Sequence, residues 1–316
     1  MPSRAFLGWI AAAAILSACG TNERARQHIF ATGPTGGTFL PLGGAIAQKW
    51  NHNLDDINVT AITTAAGLEN LRLLESGEAS FALLPESISY FAVSGTGIIE
   101  NLDESFQSFS MMARVYPEPA QIFAHLDSNI RSVRDFAGKK VSLGARGGYQ
   151  HLLGMHVFEL AGLKLDAYSP SYTGYGVAAD QFQDGLISGG FFLTGLPNAT
   201  LSRLAFNPGV RLIPVGNDVI RALQSELPFV NETVIPATAY ASLEEPTPTF
   251  SIWTLLLVRK DMPVDLVYRL TKVLFETAGE VAETNAQAKW IDVTNGNNAS
   301  IPVHPGAQRY YDELKR

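Results

Sequence analysis

Apolar positions along residues 28–93 switch repeatedly between a period of two and a period of three to four. Residues 28–33 read as a short strand, and Gly-Pro-Thr-Gly-Gly-Thr over 33–38 as a glycine-rich loop. Leu42, Ile46 and Trp50 then fall at helical spacing within 39–51. Residues 57–63 alternate as a strand. Leu68, Leu71 and Leu74 mark a helix that ends near Ser76 and Gly77. A strand at 80–84 and a helix at 87–93 follow. The order restarts with a strand at 139–143, a glycine-rich loop at 144–148 and a helix at 149–161. Residues 165–169 read as a strand, 177–186 as a helix and 190–193 as a short apolar strand. This alternation predicts an α/β fold with mainly parallel sheets.

Between the two units runs a long apolar stretch, 110–126, that contains Tyr116-Pro-Glu-Pro119. A second extended stretch covers 249–260. Two such crossings predict hinge strands: the chain leaves one lobe, builds a second and returns, with a cleft between them. Helices at 264–278 and 282–290 complete the first lobe, and Pro246, Pro248 and Pro263 punctuate the return. The expected boundaries are 28–120 with 245–316 for lobe 1, and 121–244 for lobe 2.

The first residues have a different character. Arg4 gives a positive start, residues 5–15 carry no charge, and Leu16-Ser-Ala-Cys19 follows. The apolar run is too short to span a bilayer, so 1–18 reads as a signal peptide. Leu-Ser-Ala-Cys resembles the lipobox of bacterial lipoproteins, in which the cysteine is lipidated and becomes the new N-terminus. Cys19 is the only cysteine in the chain, so an internal disulfide is excluded and lipidation would remove a lone thiol. A plain secretory peptide cut near Ala18 is the alternative. Residues 19–27 read as a lipidated tether, whose stretch 21–27 spans at most about 25 Å. Removing 1–18 leaves 316 − 18 = 298 residues, enough for two domains. The expected location is the periplasm or the extracytoplasmic face of a membrane, with a soluble body anchored only at its end.

The balance is acidic, with 23 Lys+Arg against 30 Asp+Glu. No basic stripe with interleaved aromatics appears, so nucleic acid is not an expected partner. Gly-x-Ser-x-Gly, the Walker loop and His-Glu-x-x-His are absent, and no catalytic residue, metal or cofactor is expected. Gly174-Tyr-Gly176-Val-Ala-Ala179 matches a dinucleotide fingerprint only loosely and lacks a clear preceding strand. What remains is a set of glycine-rich loops that open helices. Gly36, Gly37 and Thr38 precede one helix, where unpartnered amides and the helix dipole favour an anion; a simple Thr38 N-cap explains the same residues. Thr63, Thr64 and Gly67 form a second junction, with hydroxyls that can face a ligand or cap the helix. Arg146, Gly147, Gly148 and Tyr149 form a third, where Arg146 suits bidentate carboxylate recognition or is simply solvated. Tyr116, Tyr149, Tyr172 and Tyr175 supply aromatic rings for a cleft wall or for a core.

Five blocks carry a family resemblance. Residues 30–44, Phe-Ala-Thr-Gly-Pro-Thr-Gly-Gly-Thr-Phe-Leu-Pro-Leu-Gly-Gly, resemble the N-terminal motif of the TAXI family. These are solute receptors of tripartite ATP-independent periplasmic (TRAP) transporters. Residues 69–78 with 81–86, then 138–144, 194–199 and 304–311, resemble later blocks of that family in order. The resemblance covers the chain from about Ile29 to its end.

It implies a type II-like periplasmic-binding-protein fold and a clamshell receptor with no covalent chemistry. The implied ligand is a small carboxylate-bearing solute of the amino acid or dicarboxylate class, and the implied partner a TRAP-type membrane permease driven by an ion gradient. The receptor is expected to be monomeric. Phe39, Glu86, Pro197 and Asn198, from the same blocks, join the loop residues above as candidate ligand contacts. Two loops depart from the family pattern: Ala65-Ala66-Gly67 replaces a Gly-Gly-Ser-type turn, and 146–150 replaces a Ser/Gly/Thr-rich loop. A ligand-sensing lipoprotein adaptor for a membrane sensor or kinase is the second reading.

Overall fold

The computed structural model describes residues 25–97, 106–146, 148–298 and 300–315. The signal peptide, Cys19 and most of the tether lie outside the described residues, as does Gly147.

The chain begins with β1 (Arg26–Ala31), α1 (Phe39–Asn53), β2 (Ile57–Ile62), α2 (Leu68–Ser76), β3 (Phe81–Pro85) and α3 (Glu86–Ser94). It then enters the long strand β4 (Phe109–His125). Beyond it come β5 (Lys140–Ser142), α4 (Tyr149–Leu160), β6 (Ser169–Ser171), α5 (Tyr175–Gln183), β7 (Gly189–Leu193) and α6 (Ala199–Phe206). β8 (Val210–Ile213), α7 (Asn217–Glu226) and β9 (Asn231–Ile235) lead to β10 (Thr247–Arg259). The chain ends in α8 (Val264–Glu276), α9 (Ala278–Ala282), α10 (Val293–Gly296) and α11 (Pro305–Leu314).

The strands follow the order β2-β1-β3-β10-β4-β7-β5-β6, with β8 added to β4 and β9 to β10. At each end the pairing is parallel: β1 with β2 and β3, and β5 with β6 and β7. The two crossing strands pair antiparallel, Phe109–Pro119 of β4 against β10. From Ala120 onward β4 pairs instead with β7 and β8. One strand thus serves both halves of the sheet, and both extended stretches expected from the sequence are strands. Cross-strand shifts at Thr254/Leu255 and Leu256/Leu257 interrupt the β4–β10 ladder, and bulges of this kind bend and twist a strand pair.

Helix α1 shows how the local pattern becomes packing. Leu42, Ile46 and Trp50 are buried on one face, each contributing about 1.5–3 kcal/mol by leaving water. The Trp50 indole Nε1 donates to the Leu270 carbonyl at 3.0 Å, tying α1 to α8. Pro41 costs no internal bond because it lies in the first turn. A second core runs from Leu71 and Ile88 to Tyr149, Leu153 and Phe158, and so is continuous across both halves of the molecule.

Some expected elements differ. Residues 165–167 form a short 3-10 turn, and strand β6 starts only at Ser169. Its Pro170 is tolerated because β6 is the last strand of the sheet. Helix α5 ends at Gln183, earlier than expected, ahead of Gly185 at a φ of 70°. The expected helix at 282–290 is broken: α9 ends at Ala282, Asn285 is extended, and Ala286–Trp290 is 3-10. The elements between α6 and β9 had no expectation. Among the described residues no helix is long and apolar enough to cross a membrane.

Candidate functional site

A cavity of about 380 Å³ lies where four helix starts converge. They are Gly37 and Thr38 before α1, 65–67 before α2, 144–146 with Gly148 before α4, and Gly174 before α5. Each start carries amides with no partner inside its helix and a partial positive charge of about half a unit. The walls are mostly apolar, with Pro34, Phe39, Leu68, Pro85, Ile88 and Leu193. Among the described residues no histidine, cysteine or serine lines it. No group of three or more described His, Cys, Asp or Glu side chains is placed to hold a metal ion.

Two exposed cations, Arg72 and Arg146, line the cavity. The Arg146 guanidinium lies 4.0 Å from the centre of the Tyr172 ring. Stacking of this kind narrows the rotamers of a long side chain and leaves its in-plane donors available. Glu69 also lines the cavity, but its carboxylate accepts from the Ala65 amide at 2.6 Å. That bond folds the loop back on itself, with Ala66 at a φ of 60° and Gly67 at 56°.

The floor holds an acid. Glu118 of β4 lines the cavity and is 4 % exposed. Burial pushes its carboxyl up to about 8, opposed in part by the Tyr116 and Thr254 hydroxyls. The Tyr116 hydroxyl donates to Glu118 Oε1 at 3.3 Å and lies 2.5 Å from Thr38 Oγ1. Tyr116 is itself fully buried, which holds its hydroxyl well above the usual range. Tyr175 lines the cavity from α5, donating its hydroxyl to the Leu193 carbonyl at 2.8 Å.

Of the residues expected from the sequence, Gly37, Thr38, Phe39, Gly67, Arg146, Gly148 and Tyr149 line this cavity. Gly147 lies outside the described residues, and the others are placed elsewhere. Gly36 stands beside it, its carbonyl accepting from Asn198 Nδ2 at 3.3 Å. Thr63 is exposed outside the lining. Thr64 faces inward, donating to Asn70 Oδ1 at 2.6 Å, where Asn70 also ties the loop to Thr32 and Leu83. Tyr116 supports the floor from behind. Glu86 is turned to Arg114, which holds both carboxylate oxygens at 2.9 and 2.8 Å, and it also accepts from the Ser300 amide. The Pro197 carbonyl accepts from Gln287, and Asn198 caps α6 through the Leu201 amide.

Sequence reasoning passed over Glu118, Arg72, Gln150 and Thr194, and raised Tyr175 only as a ring for a cleft wall or a core. A signal existed for Glu118 and for Tyr175. Glu118 is an acid between two prolines in an apolar strand, and Gly174-Tyr175 is a further glycine-led helix start like the three that were singled out.

The two crossing strands, with parallel strands beyond each and a cavity at the helix starts, define a two-lobed periplasmic-binding-protein fold. The chain belongs to the NMT1-like family, whose model matches residues 30–314. Among solved structures it is similar to a periplasmic transporter, at 15% identity and a TM-score of 0.56, covering 93% of this chain and 94% of that one. It is also similar to a Xanthomonas citri protein bound to ATP, at 13% identity and a TM-score of 0.50, covering 91% and 95%. The periplasmic aliphatic sulphonate binding protein of Escherichia coli matches at 14% identity and a TM-score of 0.49, covering 91% and 83%. At these identities the likeness is one of fold.

Proposed function

We propose that the protein is an extracytoplasmic solute receptor that captures a small carboxylate-bearing molecule and hands it to a membrane permease. One observation carries this reading: four helix starts and two arginines converge on a mostly apolar cavity. Its volume lies at the small end of the range for small-molecule sites. Positive dipole ends and guanidinium groups favour a carboxylate, while the apolar walls favour a carbon chain. With no serine, cysteine or histidine in the described lining, we assign it binding and no covalent chemistry.

The resemblance of residues 30–44 and the four later blocks supports a TAXI-type receptor and a TRAP-type permease as its partner. The lobes in this proposal are 28–120 with 245–316, and 121–244, hinged at β4 and β10. Solute first held by one lobe draws the other onto it, and the closed form docks because the ligand binds it better. Gln287 to Pro197 and Asn198 to Gly36 are bonds that span the proposed lobes and break when they part. A lipid on Cys19 would hold the receptor to the membrane surface, within reach of a permease in the same membrane.

Titration calorimetry against a panel of mono- and dicarboxylates tests the reading. Binding is expected, with at least a tenfold loss in Arg146→Ala. Unchanged affinity in that variant removes Arg146 from the site, and failure of the whole panel removes the ligand class. Mass spectrometry of protein extracted from membranes reads the lipid on Cys19 directly.

A further inference from the structure

The cavity floor holds an acid that no cation among the described residues neutralises. Arg114, four residues earlier on β4, is engaged by Glu86 and lies over the Trp253 ring at 5.4 Å. No ion pair joins Glu118 to a cation among the described residues. The groups that face it are hydroxyls: Tyr116 from its own strand, Thr254 from β10, Tyr175 from α5, and Thr38 behind Tyr116. Arg72, Arg146 and Glu69 are the charged groups of the lining itself.

We propose that Glu118 acts as a neutral hydrogen-bond donor to the bound solute, and so selects a carboxylate whose other end presents an oxygen acceptor over one that presents an ammonium group. The inference rests on the receptor reading above. Its geometry is specific. Tyr116 gives its proton to Glu118 Oε1 and lies at hydrogen-bonding distance from the Thr38 hydroxyl. With Oε1 accepting from Tyr116, the proton of the neutral acid sits on the second oxygen. Two partners can meet it there, the Thr254 hydroxyl and a solute in the cavity that Glu118 lines.

The field of the cavity sets the choice of partner. Dipole ends and the Arg146 guanidinium favour an oxygen over an ammonium group on the solute. Burial of Glu118 outweighs the Tyr116 and Thr254 hydroxyls and holds its carboxyl up to about 8. At neutral pH the floor therefore offers O–H and no charge. A solute carrying a carbonyl, carboxyl or hydroxyl oxygen at its inner end completes the bond.

The test uses glutarate and 4-aminobutyrate as probes, which share a carboxylate and a three-methylene chain and differ only at the other end, titrated calorimetrically into the full-length protein at about pH 6.5 and about pH 9. Glutarate, which ends in an oxygen acceptor, is expected to bind at least tenfold tighter than 4-aminobutyrate, which ends in ammonium. Its affinity is expected to fall about tenfold at the higher pH, as a group titrating near 8 loses its proton. Glu118→Gln keeps a donor and cannot ionise. It is expected to bind glutarate within about tenfold of the parent and to show no pH-dependent fall. A preference for 4-aminobutyrate that is lost by a hundredfold or more in Glu118→Gln would show that the acid is an anionic partner for ammonium, and overturns the inference while leaving the receptor reading in place. A pH-dependent fall that persists in Glu118→Gln also overturns it. If neither probe binds the parent protein, this inference fails; the receptor reading fails only if the wider carboxylate panel fails as well.

Discussion

Asn198 stands 162 positions along the chain from Gly36, yet its Nδ2 donates to the Gly36 carbonyl at 3.3 Å. The same side chain caps α6, its Oδ1 accepting from the Leu201 amide at 3.0 Å. The two roles use opposite ends of one amide, so they can be separated. Asn198→Asp retains the acceptor, since Asp caps as well as Asn. It loses the donor and sets a carboxylate against the Gly36 carbonyl. The expected result is urea stability within about 1 kcal/mol of the parent with weakened solute binding. Asn198→Ala loses both roles and is expected to lose about 1 kcal/mol of stability as well. Equal stability losses in the two variants would show that the cap and the clasp are not separable in this way.

Glu86 and Arg114 make the most deeply buried ion pair among the described residues, with side chains 1% and 12% exposed. Removing one partner strands the other charge, at a cost of about 3–5 kcal/mol. Glu86→Leu is therefore expected to lower the urea midpoint severely. The double variant Glu86→Leu with Arg114→Met removes both charges and is expected to recover much of that loss. A double variant no better than the single would place the cost in packing rather than in the stranded guanidinium.

These two pairs also show what the sequence could and could not reveal. The strand-helix alternation was readable because each element buries one face, as Leu42, Ile46 and Trp50 do on α1. The crossings at β4 and β10 were readable because both are largely buried on two sides and run mostly apolar over a long stretch. The glycine-led helix starts were readable from spacing alone, and three of them reached the cavity lining. Side-chain direction was not. Glu86 opens α3 within a block of the family resemblance, but Arg114 turns it away, and no local pattern encodes a partner 28 positions distant. Glu118 was hidden for the converse reason: its role depends on β10, α5 and the start of α1 meeting at one point.

The apo protein offers a separate test of the Glu118 environment. In the unfolded chain its carboxyl titrates near 4.5, and in the folded protein near 8. Between those values the folded state holds a proton that the unfolded state has released. Stability from this group is therefore fully present below about pH 4.5 and is lost as pH rises toward 8, by up to about 1.4 kcal/mol per pH unit. Glu118→Gln removes that slope. Urea midpoints at about pH 5, 6.5 and 8 are expected to fall more steeply for the parent than for the variant. Parallel slopes would mean that the folded carboxyl ionises normally.

Gly43 and Gly44 are adjacent in α1 and are expected to respond to alanine in opposite directions. A Cβ on Gly43 would lie 2.5 Å from Thr32 Cγ2, too close for two carbons. Thr32 cannot easily yield, because it is fully buried and its hydroxyl donates to the Ile62 carbonyl at 2.5 Å. Gly43 thus lets α1 pack closely against the end of β1, and Gly43→Ala is expected to cost about 1–3 kcal/mol through overpacking. A Cβ on Gly44 would meet nothing within 4 Å. There alanine only restricts the unfolded chain and improves helix propensity, for a gain of about 0.5–1 kcal/mol. Thermal melts of the two variants decide the matter: a destabilised Gly44→Ala, or a neutral Gly43→Ala, would contradict the packing of α1 on Thr32.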